Sequence, residues 1–226
     1  EKIKNATGVF SDQIITLDNN TKSEIIQPSQ GVHIVLPEHF KIKNEGLMIP
    51  KTSDGRVLFL IPWKGKILVG TTDNLVKKAS LNPKANDNEI NFIIETVNRY
   101  ITPKVEKKDI LSVFTGLRPL AKMPNKIKAK EISRSHKIII SKSKLVSIIG
   151  GKWTTFRKMG EDVLDLFQTI TGEKIKSTKS KNIKIHGHTE KKINSHLSIY
   201  GSDYEKIHFL LNERRSYKKK LHPKYP

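Results

Sequence analysis

Apolar and polar residues recur with regular periods over the first 172 residues, and these periods predict a mixture of strands and helices. One strand-to-helix unit is especially clear. An apolar strand at 144–149 ends at the adjacent glycines Gly150 and Gly151, and a polar turn follows. Apolar residues then recur every three or four positions until Gly172, which is the period of one buried helical face. They are Phe156, Met159, Val163, Phe167 and Ile170.

The first turn of this predicted helix carries charges of the wrong sign for the helix dipole. Two basic residues come first and two acidic residues follow one turn later. They are Arg157, Lys158, Glu161 and Asp162. Because no carboxylate occupies the helix start, its free N–H groups, with Lys152 beside them, are suited to an external anion. An ordinary turn capped by Thr154 or Thr155 explains the same residues, and spacing alone favours that simpler interpretation.

A hairpin and a second helix are predicted in the middle of the chain. Apolar runs at 56–63 and 66–72 flank Lys64-Gly65, which is a typical hairpin turn. Both runs are apolar almost throughout, so we expect the hairpin to lie well inside a sheet. Asn86 and Glu89 form a possible capping box for a helix that Pro103 ends. Further strands are predicted at 32–36, 109–114 and 137–141.

Residues beyond Gly172 have a different character. A polar, mostly basic linker at 173–184 precedes a weak helical pattern at 190–211. Three histidines in this region lack the spacing of metal ligands and a carboxylate partner in pattern, so we expect them to be solvated and predict no metal site. They are His186, His188 and His196.

Composition narrows the class of protein. The 226 residues are 36% hydrophobic and 28% charged, as in a water-soluble globular protein, and no apolar run approaches the length that crosses a bilayer. The absence of cysteine excludes disulfides, thiolate metal sites and a cysteine nucleophile. The first residues lead directly into a structured pattern, without the features of a secretory signal.

The formal net charge of +20 suggests a polyanionic partner. The lysines are spread over nearly every segment, however, and aromatic residues make up only 7% of the chain, too few for an obvious base-stacking surface. We therefore predict no nucleic-acid partner. Attraction to anionic lipid headgroups or to an anionic substrate remains compatible with this charge.

Three side chains in the first 172 residues are candidates for chemistry, and each also has a purely structural explanation. His33 lies on a predicted strand between apolar neighbours, where most histidines are satisfied core or edge residues. Arg118 lies between a glycine turn and Pro119, and Arg134 follows a basic loop. Each arginine is explained by a surface ion pair or by capture of an anion through its planar fork of donors.

Six stretches of the first 172 residues occur together in a distinctive order. They are NATG at 5–8, PSQGVHIVLP at 28–37, PKTSDGRVLFLIPWKGKILVGTTD at 50–73, GLRPL at 116–120, ISRSH at 132–136 and GGKWTTFRKMGED at 150–162. In this order and spacing they resemble the FAD-dependent glycerol-3-phosphate dehydrogenases. The resemblance is more specific than any single motif.

The resemblance implies an α+β fold with a mixed, largely antiparallel substrate-binding sheet, flanking helices and a helical carboxy-terminal segment. It also implies that the chain is a fragment, because the G-x-G-x-x-G unit that holds the ADP half of FAD in such proteins is absent. The implied division is 1–27 for the end of the FAD-binding domain, 28–120 for the substrate-binding sheet, 121–172 for the return to the FAD-binding domain and 173–226 for a truncated helical region.

The resemblance also assigns roles by position. The residues expected to contact FAD are Asn5, Ala6, Thr7, Gly8, Gly150, Gly151, Lys152, Trp153 and Thr154. The first four face the ribityl and diphosphate groups, and the others face the pyrimidine edge of the flavin. The residues expected to bind the phosphate and hydroxyls of the substrate are Arg118, Arg134 and Lys152. His33 and Arg118 are the candidates for taking the proton of the secondary hydroxyl, and the choice between them stays open.

The implied reaction is oxidation of sn-glycerol 3-phosphate to dihydroxyacetone phosphate, with hydride transfer to FAD and electron delivery to a membrane quinone. The implied location is the cytoplasmic side of the cell membrane, in peripheral contact with an anionic surface. Homo-oligomer formation is left open, and the isolated chain is expected to be inactive.

Three other functions compete with this one. A glycerol-3-phosphate oxidase that uses oxygen usually carries a long insertion after the GLRPL stretch, whereas here only residues 121–131 separate Leu120 from Ile132. A flavin-dependent amine or amino-acid oxidase predicts recognition of a carboxylate and an amine. A basic module that binds nucleic acid or anionic membrane predicts salt-dependent binding to unrelated polyanions and no response to glycerol 3-phosphate.

Overall fold

A computed structural model describes residues 3–40, 45–122, 135–172 and 177–219 of the protein. The chain divides into two compact units, Glu1–Ile175 and Lys176–Pro226. The strands are β1 (Lys4–Asn5), β2 (Ile26–Pro37), β3 (Leu47–Ile49), β4 (Leu58–Trp63), β5 (Lys66–Gly70), β6 (Asn74–Leu75), β7 (Ser112–Ala121), β8 (His136–Ile140) and β9 (Val146–Gly150). The helices are α1 (Ser11–Asn19), α2 (Asp87–Val97), α3 (Phe156–Thr171) and α4 (Tyr204–Glu213).

The long strand β2 is the centre of a six-stranded sheet. It pairs with β7 along one side, from Ile26 opposite Ala121 to Val35 opposite Ser112. Its other side pairs with β5 and then with β6, and β4 and β3 continue the sheet beyond β5. All of these pairings are antiparallel, which confirms the predicted fold class.

Side chains of β2 alternate between the two faces of this sheet. Val32, Ile34 and Leu36 are fully buried on one face, where they pack in one apolar cluster with Ile93 and Val97 of α2. Removing such side chains from water is the main favourable contribution to folding. The opposite face carries Gly31 and His33 of β2 and is called the site face below.

Helix α2 begins with the predicted capping box. The Asn86 side chain accepts from the Glu89 backbone N–H at 2.9 Å, and the Glu89 side chain accepts from the Asn86 N–H at 3.2 Å. Ile93 and Val97 of this helix are buried, and the helix ends at Val97, several residues before the predicted end at Pro103.

A smaller sheet contains β1, β9 and β8 in that order. Strand β1 is parallel to β9, and β8 is antiparallel to β9. Helix α3 covers this sheet through Val163 and Phe167, which pack with Val146. The helix ends as predicted, because Gly172 adopts the left-handed conformation that terminates helices and donates to the Gln168 carbonyl.

The predicted hairpin lies inside the sheet, with β4 between β3 and β5, whereas two other sequence predictions in this unit are wrong. The hairpin turn at Lys64-Gly65 forms, but Phe59 and its outward neighbours on β4 are exposed, so only one face of the hairpin is buried. Phe156 is exposed because the buried stripe of α3 begins later. Strand β7 continues through the GLRPL stretch, so Arg118 lies within a strand and not after a glycine turn.

In the second unit helical structure begins at His196, within the predicted range 190–211, and residues 190–195 are not helical. A 3-10 segment at His196–Asp203 leads into α4, and Ser195 caps it by accepting from the Leu197 N–H. His186 pairs with the Asp203 carboxylate, which corrects the expectation that this histidine has no carboxylate partner. No helix in the described ranges has both the length and the apolar content needed to cross a membrane.

Candidate active site

The guanidinium of Arg118 lies across the neighbouring strand on the site face. Arg118 is opposite Ser29 in the β7–β2 register, and its guanidinium reaches over Gly31. Nη1 donates to the Thr72 carbonyl and to Asp73 Oδ1, both at 3.2 Å, and Nη2 donates to Thr71 Oγ1 at 3.0 Å. These bonds fix the plane of the guanidinium, while 26% of the Arg118 side chain remains exposed.

His33 lies two residues from Gly31 on β2, so it shares the site face with Arg118. Its ring stacks on Phe114 of β7, with centroids 5.2 Å apart and planes 8° apart. Burial, together with the positive charge of Arg118, lowers the pKa of His33 below its ordinary value. The imidazole is therefore neutral near pH 7 and is able to accept a proton.

Two glycines make room for these side chains. A Cβ at Gly31 would lie only 2.5 Å from Arg118 Nη2. A Cβ at Gly70, which is paired with His33 across the β2–β5 ladder, would overlap the imidazole ring. Both side chains thus lie flat over a neighbouring strand at positions that admit no side chain.

The segment that holds Arg118 connects β5 to β6. Asp73 accepts from Arg118 and from the Ser29 hydroxyl and is itself buried. Thr72 is held from two sides, since its Oγ1 accepts from the Val32 N–H at 2.9 Å and donates to Glu89 Oε1 at 3.1 Å. Arg118 is consequently a partly buried side chain that is held by an ion pair with Asp73, and it does not move freely as a surface arginine would.

The turn after β1 is fixed from inside by Asn5. Its Nδ2 donates to the Ser11 carbonyl and to Ser147 Oγ of β9, both at 3.1 Å, and its Oδ1 accepts from Thr7. The Asn5 side chain is therefore buried, so within this turn Ala6, Thr7 and Gly8 are the surface open to a ligand. A Cβ at Gly8 would meet no atom within 4 Å.

The turn after β9 lies at the same end of the small sheet as the turn after β1, because β1 and β9 are parallel neighbours. Gly150 and Gly151 have φ of 74° and 83°, a conformation that glycine adopts at low cost. Thr155 Oγ1 donates to the Lys152 carbonyl and does not cap α3. The simpler interpretation, a threonine-capped helix, is thus wrong for Thr155, and no acidic residue occupies the first turn.

The remaining predicted site residues of this turn are exposed. Lys152 and Thr154 face solvent, and Trp153 is 86% exposed with its ring stacked on that of Phe156. The basic residues of the first helical turn are paired with the later acids, Arg157 with Glu161 at 2.9 Å and Lys158 with Asp162 at 2.7 Å. The surface around the turn is consequently open and bears no unbalanced acid.

Arg134 lies outside the described residues, so its position relative to the others stays a prediction. Within the described ranges, no three His, Asp or Glu side chains are grouped as metal ligands. The residues that hold Arg118 and His33 in place were not predicted from the sequence. Part of their signal was the run of glycine, threonines and aspartate that begins at the last residue of β5, together with the lone glycine in β2. They are Ser29, Gly31, Gly70, Thr71, Thr72, Asp73 and Glu89.

The chain is similar to known proteins over more than half of its length. The chain matches the family described as FAD dependent oxidoreductase over residues 1–148. It is 43% identical over 163 residues to the mitochondrial glycerol-3-phosphate dehydrogenase SDP6 of Arabidopsis thaliana, covering 72% of this chain and 26% of that protein. It is 42% identical over 163 residues to the mitochondrial glycerol-3-phosphate dehydrogenase of Homo sapiens, covering 71% and 22%.

Solved structures show the same fold. The glycerol-3-phosphate dehydrogenase from Bacillus halodurans complexed with FAD superposes with a TM-score of 0.69 at 27% identity, over 94% of this chain and 38% of that one. The L-alpha-glycerophosphate oxidase from Mycoplasma pneumoniae with FAD bound has a TM-score of 0.53 at 17% identity, covering 79% and 44%, and supports the fold alone.

The chain spans about a quarter of the length of these curated relatives. The family match itself extends over more than half of the chain and includes both β1 and the strands that carry His33 and Arg118. The chain therefore belongs to the FAD dependent oxidoreductase family.

Proposed function

We propose that this chain forms the substrate side of an enzyme that oxidises sn-glycerol 3-phosphate to dihydroxyacetone phosphate. The observation that carries the proposal is the pair on the site face, a neutral His33 beside the guanidinium of Arg118. A secondary alcohol that bears a phosphate needs a proton acceptor near its hydroxyl and a cation near its phosphate. The names of the relatives support this choice of substrate.

Arg118 binds the substrate phosphate in this proposal. Its plane is set by Thr71, Thr72 and Asp73 before substrate arrives, so little side-chain freedom is lost on binding. Lys152 and Arg134 add positive charge and hydrogen bonds to the phosphate and the hydroxyls, as the resemblance implies. Three cations suit a phosphate dianion, because a phosphate that is partly buried in a site is costly unless its negative charges are paired.

His33 takes the proton of the secondary hydroxyl. The stack on Phe114 and the close approach to Gly70 fix the ring, and the lowered pKa keeps it neutral at physiological pH. Arg118 is the alternative acceptor left open by the sequence, but a guanidinium keeps its proton in proteins. We therefore assign the general base to His33.

The proposed place for FAD is the end of the small sheet at which the turns after β1 and β9 lie. Ala6, Thr7 and Gly8 leave space at the end of β1, and the turn from Gly150 to Thr154 precedes a helix start without an acid. FAD supplies the acceptor for the hydride that leaves the substrate carbon. These two turns would hold the cofactor, and the positive end of the α3 dipole would favour negative charge at that place.

Electron delivery to a membrane quinone and peripheral contact with an anionic membrane are further parts of the proposal. The net charge of +20 supports attraction to such a surface. The dehydrogenase is preferred to the oxygen-using oxidase because the segment after GLRPL is short.

Anaerobic mixing tests the proposed reaction. The FAD-loaded enzyme that contains this chain is mixed with glycerol 3-phosphate. The absorbance of the oxidised flavin at about 450 nm is expected to disappear as the flavin is reduced. Bleaching by an amino acid but not by glycerol 3-phosphate would contradict the substrate. Rapid reoxidation by oxygen, with a quinone analogue ineffective, would favour the oxidase.

A further inference from the structure

Glu89 is a buried carboxylate whose partners come mostly from outside its own helix. It is 2% exposed and accepts four hydrogen bonds. Capping of α2 requires only the bond from the Asn86 N–H. The other three donors are Gln30 Nε2 at 2.7 Å, Thr72 Oγ1 at 3.1 Å and Asn74 Nδ2 at 2.9 Å.

No lysine or arginine of the described ranges pairs with Glu89, so these donors alone compensate its burial. A buried carboxylate is costly without such compensation, and each donor is therefore held firmly in place. The arrangement goes beyond what helix initiation needs. It connects α2 to the central strand β2 and to the segment between β5 and β6.

Two of these donors flank the residue that pairs with Arg118. Thr72 and Asn74 lie on either side of Asp73, and the Thr72 carbonyl itself accepts from Arg118. The third donor, Gln30, lies between Ser29, which donates to Asp73, and Gly31, over which the guanidinium lies. The three acceptors described above for Arg118 thus lie on Thr72, which is itself a Glu89 partner, and on its two neighbours Thr71 and Asp73.

We propose that Glu89 is a positioning residue for recognition of the substrate phosphate. It fixes residues 71–74 in the conformation that holds Arg118 over β2, and it does not itself contact the substrate. This inference rests on the proposed function, because it assigns Arg118 to the phosphate. It concerns affinity for an anionic substrate and gives Glu89 no direct part in the proton transfer at His33.

Glu89→Gln tests the inference in the FAD-loaded enzyme. Glutamine retains the size and the capping ability of glutamate. Its amide nitrogen, however, replaces one carboxylate oxygen and is a donor, so it cannot accept the hydrogen bonds that this oxygen accepted. The KM for glycerol 3-phosphate is expected to rise about tenfold, equivalent to about 1.4 kcal/mol, with kcat within about twofold of the original value. Val97→Ala, a buried change in the same helix, is the control that lowers stability without raising the KM.

A double variant shows whether Glu89 acts through Arg118. If it does, Glu89→Gln adds little to the KM of Arg118→Ala, so the two effects are not additive. Additive effects, or an unchanged KM in Glu89→Gln, would overturn the inference. If Glu89→Gln does not fold, Asn74→Ala removes one bond from an exposed position and is expected to raise the KM in the same direction. An original enzyme that glycerol 3-phosphate does not reduce would refute the proposed function instead.

Discussion

Individual glycines determine where the two candidate side chains lie. Arg118 and His33 each cross a neighbouring strand at a glycine, and in both cases an added Cβ would meet the side chain. The obstruction at Gly31 is the far end of a flexible arginine, so the fold is expected to tolerate a methyl group there while the guanidinium moves. At Gly70 the obstruction is an aromatic ring close to its own backbone.

Gly31→Ala is therefore expected to weaken substrate binding, with a rise of about tenfold in the KM for glycerol 3-phosphate, since small displacements of a positioning group are costly. Gly70→Ala is expected to lower kcat instead, because it displaces His33. Steady-state kinetics of the FAD-loaded enzyme separates the two effects.

Gly160→Ala in α3 is the matched control for both variants, since its added Cβ meets no atom within 4 Å. It is expected to keep both kinetic constants. Equal kinetics in all three variants would contradict the placement of Arg118 and His33.

The lowered pKa of His33 predicts a pH dependence. Activity falls when His33 becomes protonated, so the acid limb of kcat/KM is expected to lie below pH ~6.5, the ordinary value for histidine. Arg118→Met removes one of the two causes of the lowered pKa and should move this limb to higher pH. Arg118→Lys keeps the charge and should leave the limb nearly in place.

A pH profile with the same acid limb in Arg118→Met and in the original enzyme would exclude electrostatic coupling between the two residues. An acid limb above the ordinary histidine value would exclude His33 as the base.

His33 and Arg118 could be predicted as site residues from the sequence, but the residues that hold them could not. Motif spacing shows which residues are unusual, whereas cross-strand register decides which of them meet. The pairing of Gly70 with His33 joins residues 37 positions apart, and no local pattern indicates it.

Helices and turns were predicted best where the signal is local. The capping box of α2 and the terminating glycine of α3 involve residues within a few positions of each other, and both form as predicted. The hairpin was predicted to lie well inside a sheet, and it does, although Phe59, Ile61 and Trp63 of β4 are exposed on one face. An almost entirely apolar run does not reveal how many faces are covered.

Two glycines of α3 give a prediction at the scale of the element. Gly160 lies within the helix and Gly172 terminates it with φ of 70°, and an added Cβ at either position meets no atom within 4 Å. Gly160→Ala is expected to increase the free energy of unfolding by about 0.5–1 kcal/mol, because alanine restricts the unfolded chain. Gly172→Ala is expected to decrease it by about 1–2 kcal/mol.

Thermal unfolding of the two variants measures this difference. The midpoint temperature should rise for Gly160→Ala and fall for Gly172→Ala. Similar shifts in both would show that α3 does not end at Gly172.

The whole molecule is strongly basic, and its charge is spread over most of the sequence. Binding to vesicles that contain anionic lipid is therefore expected to weaken steadily as the salt concentration rises from about 50 mM to about 500 mM, because salt screens the attraction between charges. Sedimentation with vesicles of anionic and of neutral lipid tests this. Equal binding to both lipids would contradict an electrostatic contact with the membrane.

The fold class could be predicted for the whole chain, whereas the division into four regions stays a prediction. The first compact unit, Glu1–Ile175, contains both sheets, and the short cluster of Ile26, Ala121 and Ile149 connects them. Contacts of this kind join distant parts of the chain, so composition alone does not locate the boundaries between regions.

The most direct test of the account compares two substrates in two proteins. Anaerobic flavin reduction is measured for the original enzyme and for Arg118→Ala, with glycerol 3-phosphate and with unphosphorylated glycerol. The account predicts that Arg118→Ala needs roughly 10- to 100-fold more glycerol 3-phosphate for half-maximal reduction, as expected for loss of a charged hydrogen-bond donor, with glycerol unaffected. An unchanged requirement for glycerol 3-phosphate, or an equal loss with glycerol, would contradict phosphate recognition by Arg118.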